Sequence, residues 1–253
     1  MRLLYLLNMY RLFLSPTAHF LNISNDGIEE LVANTDNLIN EIVSVNRLGE
    51  IHEINIDCDW TARTRKVYFS FLGKLHKQSG KDISCTLRLH QIKYKKDTGI
   101  PPVSKGYLMC YATSNPTEEM TKNSILDMDL LKSYTKNIND YPLAFDIALP
   151  LYSWGIVTNH RGEKKLINGL TADDLQPPVF KQKDDFTYEV MQDCFLHGLY
   201  INKGFTVKIE AITPELLTEA KHYLNEKIDN DYAIVYFHLS KGFLERFTIN
   251  ELK

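Results

Sequence analysis

The sequence predicts an α/β fold of the (β/α)8 TIM-barrel type, incomplete or irregular at its N-terminus. Three observations carry that prediction. Strand and helix patterns alternate along most of the chain. Several strands are apolar on both faces, as strands sheathed by helices must be. The 253 residues suit one barrel, so residues 1–253 read as a single domain. Within it, residues 1–20 read as a truncated or misassigned start and 157–180 as an excursion over the barrel mouth.

The first fourteen residues are largely apolar, with Arg2 near the start and Arg11 breaking the run. They are too short to span a bilayer, and no small-residue cleavage site or lipobox cysteine follows. They read as a buried strand or helix, or as an irregular start. No other stretch reads as a transmembrane segment. Lys and Arg number 29 against 32 Asp and Glu, a balance that gives no basic surface for nucleic acid. Cys58, Cys85, Cys110 and Cys194 stand singly with no CxxC spacing, so they are expected to be free and buried.

Helical spacing through Ile28, Leu31, Val32, Leu38, Ile39 and Ile42 predicts a helix over 24–47, capped by Ser24 or Asn25. Next comes a strand containing Ile54 and Ile56 that ends in Asp57, Asp59 and Trp60, with a helix over 61–78 after it. Residues 83–91 alternate as a strand delivering Arg88, His90 and Gln91 to its end. Adjacent prolines at 101 and 102 mark a loop, and 106–112 is a strand apolar on both sides. A short helix over 127–139 precedes a strand over 141–150, which holds Asp146, with Tyr152 and Trp154 just beyond it. Residues 160–165 form a hairpin turn, 188–200 a helix and 205–210 a strand ending on Glu210. Thr213-Pro214-Glu215 is the clearest helix start in the chain, and 233–239 is the last strand. Six strands from Ile54 onward leave an eight-stranded closure short, and the first twenty residues have room for one more.

Asp57 and Asp59, two apart at a strand's carboxyl end, would project together into a barrel mouth, where carboxylates orient hydroxyls or hold a cation. The plainer alternative pairs one with Arg88 and uses the other to cap the following helix. Arg88, His90 and Gln91 would bind hydroxyl or acidic groups, His90 serving as a base or as a hydrogen-bonded structural residue. A metal set of Asp57, Asp59, His90 and His238 has only spacing behind it; neither metal nor cofactor is expected. Trp60, Trp154 and Tyr152 would offer flat faces to a sugar ring, or pack in the core. Asp146 and Glu210 complete the candidate catalytic acids, provided one lies at hydrolytic distance from Asp57 or Asp59.

The run Ile54-Asn-Ile-Asp57-Cys-Asp59-Trp60-Thr61 resembles the fourth strand of the chitinase-like glycoside hydrolases. Their pattern is Asp, two residues, Asp, one residue, Asp, one residue, Glu. It lays Ile54 on the first Asp and matches Asp57 and Asp59. Thr61 falls where the family has its proton-donating Glu, and a threonine does not donate at neutral pH. A wider set also resembles uncharacterised barrel proteins of Bacteroidetes, often lipoproteins, loosely related to those hydrolases. That set comprises residues 57–61, Arg88-Leu-His-Gln91, Gly99-Ile-Pro-Pro102, Asn123-Ser-Ile-Leu-Asp127 and 141–154. The resemblance implies a barrel that binds and hydrolyses a glycan, or one that binds carbohydrate without catalysis. It further implies a cell-envelope location, with membrane association only through a lipoprotein signal this chain lacks.

Overall fold

The computed structural model describes residues 11–13, 23–118, 121–238 and 240–253. The expectation for residues 1–20 lies outside the described residues except at 11–13. The chain divides into two compact units. One holds the chain up to Met109 with Tyr134–Ala148 and Ile228–Val235; the other holds Cys110–Ser133, Leu149–Lys227 and Tyr236–Lys253.

Strand β1 (Arg11–Phe13) precedes helix α1 (Asn25–Val45), whose first turn is capped by Ser24 Oγ accepting from Gly27 N at 3.1 Å. Ile28, Val32 and Ile39 form its buried stripe. Then come β2 (Glu53–Asp57), α2 (Arg65–Ser79), β3 (Asp82–Arg88) and the short α3 (Leu89–Lys93) and α4 (Lys95–Thr98). Helix α2 stops at Gly80, in the left-handed region at φ 65°, where a glycine closes a helix without a Cβ clash. Strand β4 (Lys105–Met109), helix α5 (Met128–Thr135) and strand β5 (Phe145–Pro150) follow.

Strands β6 (Ser153–Thr158), β7 (Lys164–Asn168), β8 (Phe180–Gln182) and β9 (Thr187–Val190) come next, then β10 (Cys194–Leu196), β11 (Leu199–Ile201) and β12 (Thr206–Ala211). They build a five-stranded sheet in the order β7-β6-β12-β9-β8 and a separate hairpin, β10-β11. Val157, Leu170, Leu175, Val190, Leu196, Ile201 and Val207 form a core of their own. The helix expected over 188–200 is therefore corrected to strands. His197 and Gly198, at φ 46° and 78°, make a two-residue turn that matches the twist of the strands it joins. The strand at 205–210 is real, but it pairs antiparallel with β6 and β9 rather than in a barrel. Helix α6 (Pro214–Lys227), strand β13 (Ile234–Phe237) and the short α7 (Lys241–Leu244) and α8 (Ile249–Leu252) complete the chain.

The remaining strands form one sheet, β1-β2-β3-β4-β5-β13, with β1 through β5 paired in parallel. Ile147 N bonds Ala233 O and Leu151 N bonds Phe237 O, so β13 advances in step with β5. This is a partial, curled parallel sheet, consistent with the incomplete barrel expected and not with a full eight-stranded one. Side chains alternate across it. Ile54, Ile56, Ile83, Cys85 and Leu87 are buried on the face that α2 covers, where Tyr68 reaches the Cys85 thiol. The other face carries Glu53, Asn55 and Asp57 on β2, Ser84 and Thr86 on β3, Lys105 and Tyr107 on β4 and Asp146 on β5, all in register.

Candidate functional site

At the carboxyl ends of β2 and β3 the structure gathers Asp57, Asp59, Arg88 and His90. Asp57 is the last residue of β2, and its Oδ1 accepts from Thr86 Oγ1 on β3 at 2.6 Å. Asp59 lies two residues past, where both oxygens meet the Arg88 fork, Nε–Oδ1 at 2.7 Å and Nη2–Oδ2 at 2.9 Å. The pair is open to solvent, with side chains 47% and 32% exposed for Asp59 and Arg88. The two carboxylates thus end in different bonds. Of the plainer alternatives, the Arg88 pairing is present, whereas Asp57 bonds a neighbouring strand and not a helix terminus.

His90 and Gln91 are on α3, not on the strand, because β3 ends at Arg88. Arg88 N donates to Gln91 Oε1 at 2.7 Å, closing the first turn and holding the amide in the core, with the residue 0% exposed. His90 is exposed and lies within the field of Asp59 and Arg88. Packing around the ring lowers its pKa from the ordinary histidine value, Asp59 opposes that and Arg88 adds to it. Burial, with Asp59 and Asp57 beside it, pushes the Cys58 thiol up to about 12 and keeps it protonated.

Trp60 points away from this cluster. It is 3% exposed, stacks on Tyr68 at 5.3 Å and donates Nε1–H to Thr98 O at 2.9 Å. Thr61 builds the turn into α2, its N–H donating to Thr64 Oγ1 at 2.9 Å.

Asp146 belongs to the polar row across the sheet. Its Oδ2 accepts from Lys105 Nζ and its Oδ1 from Ala233 N, each at 2.9 Å, so it ties β4, β5 and the lead into β13 together. Lys105 also lies 3.6 Å from Glu53, whose other oxygen accepts from Ser84 Oγ at 2.6 Å and Tyr107 OH at 2.9 Å. Burial works against the Lys105 charge, yet its bonds with Tyr107 and Asp146 carry its pKa above the ordinary lysine range. Burial likewise pushes the Tyr107 phenol up to about 12. Glu53, Asn55, Ser84, Thr86, Lys105 and Tyr107 escaped the sequence reading. Their period-two polarity, at 53-55-57, 84-86-88 and 105-107, was the available signal.

Glu210, Trp154 and Tyr152 come together in the second unit. Glu210 is fully buried; it pairs with the equally buried Lys208 and accepts from Ser124 Oγ and, at 2.6 Å, from Trp154 Nε1. Lys208 also donates to Lys122 O at 2.6 Å. Tyr152 is buried edge-to-face against Tyr111 and Phe237 and lies beside Trp154. Among the described residues, no group of three or more His, Cys, Asp or Glu side chains is arranged to hold a metal, and no helix is long and apolar enough to cross a membrane.

No family model and no curated protein sequence matches this chain. Solved structures do. The spore cortex-lytic enzyme SleL of Bacillus megaterium aligns with a TM-score of 0.58 at 14% identity over 88% of this chain and 52% of that one. SleL of Bacillus cereus gives 0.55 at 14% identity, covering 90% and 57%. A chitinase of Chromobacterium violaceum gives 0.51 at 11% identity, covering 87% and 70%. The chain is thus similar in fold, at low identity, to these structures. It spans about half the length of the two spore enzymes, and at these identities the likeness is one of fold.

Proposed function

We propose that this protein binds a glycan at the carboxyl end of its parallel sheet and does not hydrolyse it. The observation that carries the reading is the half-exposed Asp59–Arg88 fork beside Asp57 and His90, at the strand ends where parallel α/β sheets place their ligands. Carboxylate oxygens, guanidinium N–H groups and an imidazole offer the mixed acceptors and donors that sugar hydroxyls require.

Hydrolysis needs an acid placed to protonate a leaving oxygen. Thr61 occupies the position of that acid in the resembling pattern. Asp146 is held by Lys105 and Ala233 N, and Glu210 is sealed with Lys208. These engagements favour binding over turnover. Trp60, expected to offer a face to a sugar ring, is buried and has no exposed face to act through.

Calorimetric titration with soluble chitin and peptidoglycan oligosaccharides tests the reading, run beside chromatography of the same mixtures after prolonged incubation. Saturable heat without new products is expected, and Asp57→Asn together with Arg88→Gln should abolish the heat while the thermal midpoint stays within a few degrees. Release of shorter sugars by the unaltered protein would overturn the non-catalytic assignment; no heat with any of these sugars would overturn the glycan assignment.

A further inference from the structure

The second unit carries a feature that the site above does not use. In the β10-β11 hairpin, Phe195 and Tyr200 are directly paired across the strands, with ring centroids 5.1 Å apart and planes at 60°. They are 74% and 50% exposed, among the most open large hydrophobic residues described. Alternation explains the arrangement: Leu196 and Ile201 turn into the core, so their neighbours Phe195 and Tyr200 must face water. The Tyr200 ring is also fixed in place. Its hydroxyl bonds Asp193 Oδ2 at 3.2 Å, while Asp193 Oδ1 accepts from Lys203 N at 2.7 Å.

Two rings held outward on the hairpin touch each other yet still leave most of their apolar surface in water. A protein partner would call for a continuous apolar patch with anchors and a polar rim. Here the rings stand as an island among exposed Gln192, Asp193, His197, Asn202 and Lys203. Tyr200 also walls a cavity of about 340 Å³, where Asn159, Glu163, Lys164 and Lys165 make one polar side and apolar residues such as Val157 and Phe205 the rest. Flat aromatic faces next to amide, carboxylate and ammonium groups match one ligand chemistry: a sugar, with C–H faces for the rings and hydroxyls for the polar wall.

We infer that the Phe195–Tyr200 hairpin is a second carbohydrate-contact surface, one that grips a polysaccharide chain by stacking and sets the adjoining sugar against Asn159 and Lys165. It shares its ligand class with the proposed function but rests on other residues.

Co-sedimentation of the full chain with insoluble chitin, cellulose and purified peptidoglycan tests it. At least one matrix should retain the unaltered protein. The double variant Phe195→Ser with Tyr200→Ser should need at least tenfold more of that matrix for half-retention, whereas Phe195→Trp in an otherwise unaltered chain should keep retention within about twofold of the unaltered protein. Unchanged circular dichroism and melting would show that the double variant is folded. Retention of that variant equal to the unaltered protein overturns the inference, as does failure of all three matrices to hold the unaltered chain. A fall in mass by sedimentation velocity with unchanged retention would make the pair a contact between copies and also overturn it. None of these outcomes touches the titration with soluble oligosaccharides, in which Asp57 and Arg88 decide the first site separately.

Discussion

The Arg88 guanidinium grips both oxygens of Asp59, at 2.7 and 2.9 Å, from the end of the neighbouring parallel strand. This two-point contact fixes the orientation of an ion pair at that end of the sheet that solvent reaches on both sides. Because Asp59 and Arg88 are 47% and 32% exposed, most of the attraction is screened. A double-mutant cycle of Asp59→Asn and Arg88→Gln by urea denaturation should give a coupling of about 0.5–1 kcal/mol, shrinking in 1 M salt. A coupling well above that range would mean the pair is more deeply desolvated than its exposure indicates.

His90 reports on the same cluster by its titration. Its folded pKa is lowered, so the fold prefers the neutral ring. The corresponding stabilisation is present in full above the unfolded value near 6.5 and is lost as pH falls through the folded pKa. In NMR titration the imidazole midpoint should lie below 6.5. Asp59→Asn removes the influence that holds it up and should move the midpoint lower, whereas Arg88→Gln should move it higher. Shifts of the opposite sign would separate His90 from the Asp59–Arg88 pair.

Where local chemistry is decisive, the sequence was legible. Ser24 caps α1, Thr213 bonds Leu216 N at the start of α6, and the turn expected over 160–165 joins β6 to β7 at 159–163. Of the six strands read from Ile54 onward, five lie in the parallel sheet. The sixth, 205–210, has the same alternation whether its partner runs parallel or antiparallel, so its place was not readable from itself. Residues 188–200 carry apolar positions that fit both periods; the His197-Gly198 turn, with positive φ at both residues, decides for strands. Alternation carries the strand on to Gln91 and would deliver His90 from it, whereas β3 ends at Arg88. A side chain three residues on, Gln91 Oε1 on Arg88 N, had already turned the chain into α3. That Asp57, Asp59, Arg88 and His90 lie near one another is legible in the sequence, since charge at a strand end stands out. Thr86, which bonds Asp57, and Ser84, which bonds Glu53, are not legible because a buried hydroxyl in a strand reads as any β former.

Trp60 should behave as core. Buried against Tyr68 and Phe69 with its N–H bonded to Thr98 O, it loses packing and a hydrogen bond together in Trp60→Ala, for about 3–5 kcal/mol in urea denaturation. Trp60→Phe keeps most of the ring contact and should cost about 1–3 kcal/mol, chiefly through the unpaired carbonyl. Oligosaccharide affinity should be unchanged in Trp60→Phe. A marked loss of affinity with stability preserved would return Trp60 to the site.

The buried pair in the second unit yields an asymmetric prediction. Lys208 and Glu210 are both fully enclosed, and Glu210 is further bonded by Ser124 and Trp154. Removing one partner strands a charge where water cannot reach it, so Lys208→Met alone or Glu210→Leu alone should each cost about 3–5 kcal/mol in urea denaturation. Removing both leaves two neutral side chains of similar volume, and the desolvation cost of the ions disappears with their attraction. The double variant should therefore be more stable than either single one, recovering at least about 2 kcal/mol. Recovery will not be complete, because Ser124 Oγ and Trp154 Nε1 lose their shared acceptor and Lys122 O its donor. If Glu210 were instead a working acid, Glu210→Gln would remove product formation at little cost in stability, an outcome opposite in both measurements to the one expected from a sealed ion pair.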